Sequence, residues 1–245
     1  MGPRTFHLSA ACAFALAAPA LADPAAAPPK YGPCDGVFAQ VSGVSDYRFD
    51  GLSESNRHPT WQATGYCYWS NGAFVGATFT GVDFLDTPRT HVEADWYVGR
   101  QIQLGGGYSA MVDVFYATFP DKRAPGPSYD ILEPQAELDR TAGRLTLKGQ
   151  VGWTADDSGA GPAWRFKTSA AYRLAPWLTL SGEAGRYQKR RAPSYDHWDI
   201  GATATWRRLS LDARWAGTDL SQAHCFFTDW CKPGPSVMLS YRLLP

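Results

Sequence analysis

The ionisable residues of this chain recur at alternate positions, and their signs segregate along the sequence. Asp46 and Arg48 come first. Glu93, Asp95, Asp113, Glu137 and Asp139 then form an acidic series, followed by a basic one, Arg144, Lys148, Arg165, Lys167 and Arg173. Glu183, Asp199, Arg207, Asp212, Arg214 and Arg242 close the pattern with mixed signs. The chemistry open to such residues is electrostatic, because charged side chains ringing a pore select among ions and polar solutes. An acidic wall beside a basic wall makes a transverse field that orients polar solutes and admits hydrated ions. The same charges, paired across a narrow lumen, would fill it instead. Both readings stand on the sequence. If the charges line a pore, reversing Arg165 or Lys167 shifts ion selectivity.

Catalytic signatures do not compete with this reading. The sequence has no G-x-S-x-G, no P-loop and no H-E-x-x-H. Gly105–Ala110 fits G-x-G-x-x-A, but a dinucleotide site needs a helix next. Met111–Tyr116 alternates instead, so the glycines read as a turn. His58, His91, His197 and His224 are scattered without ligand spacing. An outer-membrane hydrolase would need Ser and His on the outward face near the rim, whereas His91 and His197 fall on the inward parity. Cys225 and Cys231 lie close enough for a disulfide; zinc with His224 would lack its four ligands. By elimination Cys34 and Cys67 form a second pair, although strand parity puts them on opposite faces. No cofactor and no metal are expected. Lys plus Arg and Asp plus Glu both number 23, giving no basic excess for nucleic acid.

Strands must carry this alternation. In 209–217 Leu209, Leu211, Ala213 and Trp215 interleave with Ser210, Asp212 and Arg214. In 164–174 Trp164, Phe166, Thr168, Ala170 and Tyr172 interleave with Arg165, Lys167, Ser169, Ala171 and Arg173. A helix would space its apolar residues by three and four. About twelve such segments occur, near 36–49, 60–70, 73–84, 90–103, 107–119, 132–141, 144–155, 163–173, 177–189, 196–206, 209–218 and 235–244. Short connections alternate with longer ones at 50–59, 85–89, 120–131, 156–162, 190–195 and 219–234. Trp61 with Trp69, and Trp198 with Trp206, sit at opposite ends of one strand on one parity. Paired aromatic girdles and loop asymmetry are the pattern of a membrane barrel. The expected fold is therefore all-β, a closed antiparallel up-and-down transmembrane β-barrel of about 12 strands.

Arg4, an apolar run and Ala20-Leu21-Ala22 read as a secretory signal peptide over residues 1–22. Residues 23–35 read as an Ala/Pro-rich lead-in and 36–245 as the barrel. Cleavage near Ala22 would deliver the chain to the outer membrane of a Gram-negative bacterium. Its partners there would be outer-membrane lipids, the barrel-assembly machinery and small hydrophilic solutes.

Val44-Ser-Asp-Tyr-Arg-Phe-Asp-Gly-Leu-Ser-Glu-Ser-Asn-Arg-His-Pro59 resembles the opening of the TorF-type porins of proteobacteria. Gly72–Phe84, Gly217–Leu220, the Cys225/Cys231 pair and the closing strand Ser236–Leu243 are similar to that family's layout. The resemblance implies an outer-membrane barrel of the porin type, with neither a substrate nor an active site. Two departures stand out. Asp50 replaces a usually basic residue, and the chain ends Leu243-Leu244-Pro245 rather than on an aromatic. The reading is a porin-like channel for passive diffusion of small hydrophilic solutes or ions, without enzymatic activity. The alternative is a closed barrel with a structural or surface-binding role through its outer loops. A hydrolase ranks behind both.

Overall fold

A computed structural model describes residues 33–225 and 229–244. The leader expected over 1–22 and most of the lead-in expected over 23–35 lie outside the described residues. Twelve strands close into one barrel: β1 (Gly36–Val44), β4 (Thr60–Tyr68), β5 (Ala73–Phe84), β6 (Thr90–Gly105), β7 (Tyr108–Thr118), β8 (Ile131–Ala142), β9 (Leu145–Thr154), β10 (Ala163–Ala175), β11 (Leu178–Lys189), β12 (Tyr195–Trp206), β13 (Leu209–Thr218) and β14 (Gly234–Arg242). Two short strands, β2 (Arg48–Phe49) and β3 (Leu52–Ser53), form a separate hairpin. Barrel neighbours in sequence pair antiparallel, and β1 closes the ring on β14 with Gln40 opposite Arg242 and Val44 opposite Met238. Closure removes every open edge, the condition for strands to cross a bilayer.

The barrel is inside out compared with a soluble protein. On β14 Val237, Leu239 and Tyr241 face outward, while Ser236, Met238 and Ser240 are buried inside. Ile200 at the middle of β12 is 65% exposed, whereas Arg165 and Asp212 are 3% and 2% exposed. A surface with that much exposed apolar side chain is at home in lipid. Trp61, Trp153, Trp164 and Trp198 ring the outside near the long-loop ends, and Trp177, Trp206, Tyr108, Tyr172 and Tyr241 near the short-turn ends. Trp69, expected in the second ring, lies just past the end of β4, its Nε1 donating to the Pro33 carbonyl at 3.0 Å.

The short connections are 69–72, 106–107, 143–144, 176–177 and 207–208; the longer ones leave the opposite end. One boundary differs from expectation. The first strand stops at Val44 rather than 49, because the chain turns into the barrel and pairs with itself as β2–β3. Three long loops meet above it in an aromatic cap, where Phe84 touches Trp230, Phe119 and Tyr129 at ring-centroid distances of 5.1, 5.3 and 5.5 Å. Both disulfides form, Cys34–Cys67 and Cys225–Cys231. Cys34 precedes β1, so strand parity does not govern where its side chain points.

Candidate channel constriction

Residues 45–59 leave β1, cross the lumen and return to β4. Locally the fold follows from Phe49-Asp50-Gly51-Leu52, a two-residue Asp-Gly turn flanked by apolar residues, which is a strong short hairpin signal. Asp50 and Gly51 both adopt positive φ, 48° and 79°. Asp46 fastens the base: its carboxylate accepts from Arg48 Nε at 2.7 Å and Ser53 Oγ at 2.6 Å. Ser55 Oγ accepts from the Tyr47 amide at 2.9 Å, and Ser53 donates its amide to the Trp230 carbonyl at 3.0 Å.

The tip plugs into the far wall. Asp50 is fully buried, with Oδ2 2.7 Å from Arg165 Nε and Oδ1 2.6 Å from Lys167 Nζ. His197 Nε2 stands 3.7 Å from the same carboxylate. Burial alone would disfavour the charged Asp50, but Lys167 and Arg165 outweigh it and hold the carboxyl well below its ordinary pKa. Phe49 lies over Phe115 at 6.5 Å, with Arg165 4.8 Å and Lys167 5.0 Å from its ring. A Cβ on Gly51 would overlap the Gly217 carbonyl, so the hairpin touches β13 as closely as a backbone can. Arg165 also pairs with Glu133 at 2.9 Å, and a Cβ on Gly152 would overlap that Glu133 carboxylate. Glycine there lets Glu133 lie flat along the wall.

The opposite flank of the hairpin is acidic. Glu54 is buried beside Glu93 and Asp95 on β6, and burial, then those two carboxylates, raise its pKa well above the ordinary value. Glu54 is therefore pushed toward its neutral form, while Asp50, a few residues away, is held toward its charged one.

The structure places the expected lining residues in three groups. Glu93, Asp95, Asp113, Glu137, Lys148, Arg165, Lys167, Glu183, Asp199, Asp212 and Arg214 face the lumen and are buried or nearly so, and Asp139 faces it lower down, hydrogen-bonded to Ser109 at 2.5 Å. Lys148 meets Glu137 at 2.9 Å, and Arg214 binds Asp212 at 2.7 Å and also Asp199. Asp46 and Arg48 are not on the wall as expected; they form the base of the hairpin, because β1 ends before them. Arg144 and Arg207 stand exposed in short turns rather than on the wall: β9 begins only at Leu145, and β12 ends at Trp206. Arg173 is exposed near the same end of β10. The basic wall is thus not bare: Arg165 and Lys167 are neutralised by the hairpin, and the expected transverse field collapses into local pairs.

Four contributors are not among the site residues that the sequence singles out. Glu133 shares the parity of Glu137 and Asp139, so the pattern holds the signal. His197 falls on the inner parity, but nothing nearby in the chain names its partner. Asp50 and Glu54 read as loop residues, and only the Asp-Gly hairpin signal points to an ordered element there.

Asp50, Glu183 and His197 bring ligand atoms within 4.8 Å of one another. Lys167 stands 2.6 Å from Asp50 and 3.7 Å from Glu183, so the positive charge this trio needs is already present, and a metal ion would meet it in repulsion. A cleft of about 230 Å³ at the long-loop end is lined by Ser55, His58, Asp83, Arg89 and His91. Ser55 Oγ bonds the Tyr47 amide and the His58 carbonyl, not an imidazole, so no nucleophile is prepared there.

A closed antiparallel barrel, apolar outside and charged within, has the fold of outer-membrane porins. The KdgM porin superposes with a TM-score of 0.57 at 7% identity, over 84% of this chain and 98% of that one. The NanC porin gives 0.55 at 11% identity, covering 82% and 97%. The COG4313 outer membrane channel from Pseudomonas putida F1 gives 0.50 at 12% identity, covering 91% and 99%. The chain belongs to the bacterial family of unknown function Gcw_chp, whose profile matches residues 31–232. No curated protein matches it.

Proposed function

We propose that this chain is an outer-membrane channel passing small hydrophilic solutes or ions by diffusion, through a lumen narrowed by the 45–59 hairpin. The observation that carries the reading is the inversion of the barrel: polar side chains face inward all round, charged ones from β6 to β13 and Ser, Thr or Gln on β14, β1, β4 and β5, in a ring whose outer face is apolar. Such a molecule is stable only in lipid, and its interior offers a polar route across. Export after cleavage near Ala22, kinship with the TorF-type porins and absence of catalysis belong to the same reading.

Planar-bilayer recording of the refolded mature protein tests it. Discrete, reproducible steps of small conductance are expected, because the hairpin leaves little free cross-section. Silence from a barrel shown to be folded by its heat-modifiable migration would overturn the channel. It would favour a second reading, a closed barrel that binds through its outer loops. The aromatic cap of Phe84, Phe119, Tyr129 and Trp230 favours that alternative, since it packs the long loops into one surface.

A further inference from the structure

Charges inside the lumen do not balance. Its buried cations each have a carboxylate at 2.6–2.9 Å. The reverse does not hold. Asp113 on β7 is only 6% exposed, and neither of its carboxylate oxygens has a hydrogen-bond partner among the described residues. It forms no ion pair there either, and the charged residues that act on it are Glu137 and Glu133, of its own sign. Glu93, 4% exposed, likewise has one oxygen without a partner.

Strand registers place the acidic groups in a descending series. Asp95 lies opposite Ala117, Gly99 opposite Asp113, Met111 opposite Glu137 and Ser109 opposite Asp139. Glu54 and Glu93 stand above them at the level of the hairpin. Between Asp95 and Asp113 lie Tyr97 and Phe115, whose ring centroids are 5.4 Å apart, and aromatic faces also attract cations. A buried carboxylate without a counter-charge gains most from a cation beside it, because the cation favours its charged form and a low-dielectric wall strengthens the attraction.

We infer that the β6–β8 wall is a cation track, on which Asp113 is the selectivity-determining site for small inorganic cations such as K⁺. This rests on the channel reading and gives it a sign: a cation-selective channel, not one indifferent to charge. Asp113 takes no part in the hairpin latch, so its neutralisation leaves the constriction standing.

The test is the reversal potential of single barrels in a KCl gradient, for the natural chain and for Asp113→Asn. The natural chain is expected to reverse toward the K⁺ equilibrium potential. Asp113→Asn should lower the K⁺ over Cl⁻ preference at least about threefold, the effect of one unit charge roughly 7 Å from the ion even at the dielectric constant of water. If Asp113→Asn does not refold, Glu93→Gln makes the same comparison one station higher on the track. Conductance with no cation preference, or a preference unchanged in the variant, overturns the inference and leaves the channel intact. Silence from folded barrels overturns the channel reading and the inference with it.

Discussion

Asp50 and Glu54 sit four residues apart on one loop, and their surroundings shift them in opposite directions. Lys167 and Arg165 outweigh burial and lower the pKa of Asp50; burial, with Glu93 and Asp95, raises that of Glu54. Removing the Asp50 charge should be costly. In Asp50→Asn, Arg165 keeps Glu133, but Lys167 is left with Glu183 at 3.7 Å. Breaking a buried pair of this kind costs about 3 kcal/mol, to be read as a lower unfolding midpoint. Reversing Arg165 or Lys167 should cost at least as much, so any change in selectivity there reflects a displaced hairpin. The two carboxyls also predict opposite pH dependences. The Asp50 contribution is complete above the ordinary Asp range near about 3.9 and is lost as pH falls below it. The Glu54 contribution is complete below the ordinary Glu range near about 4.3 and is lost as pH rises through its raised pKa. The barrel's thermal midpoint should therefore fall between mildly acid and alkaline pH. Glu54→Gln should flatten that fall, and an unchanged slope would show that Glu54 does not cause it.

At the scale of elements, the hairpin depends on its turn and on the loop that covers it. Gly51→Ala places a Cβ at positive φ and against the Gly217 carbonyl. The backbone penalty alone is about 1–2 kcal/mol, and the collision should push the tip off β13. Increased protease access to residues 45–59 in the folded barrel would report that displacement. Above the hairpin, Leu52 packs against Cys231, with Cys225 beside it. The Cys225–Cys231 bridge thus keeps its own loop seated on β3. Alkylation of these cysteines should be negligible before reduction. After reduction, access to the hairpin should rise; free labelling at the outset would show that the bridge does not form.

For the whole molecule, the apolar exterior is the term that commits it to lipid. Ile200 lies midway along β12 and points outward. Ile200→Arg should cost about 2–4 kcal/mol of stability in a bilayer, the penalty for a cation at mid-depth on a barrel's lipid face. An equal charge in an exposed short turn, such as at Trp177, should cost far less. Comparing urea midpoints of the variants folded into vesicles decides it. Equal cost at both depths would count against the assigned membrane band.

The alternation of side chains by itself determined the barrel, its strand count and its loop asymmetry. Period two is a local property, and a one-residue slip would turn every side chain to the wrong face. The same alternation put Glu93, Asp113, Arg165 and Arg214 inside. Pairing was not legible, because it depends on which strands close next to each other and on what enters the space between them. Asp50 reads as a loop residue in any local window; only the closed ring brings Arg165, Lys167 and His197, from β10 and β12, to one point at the tip of a hairpin begun more than a hundred residues earlier. That meeting neutralises the basic wall and leaves Asp113 on the acidic one without a counter-charge among the described residues, a balance of charge that residue types state as zero and that tertiary structure alone distributes.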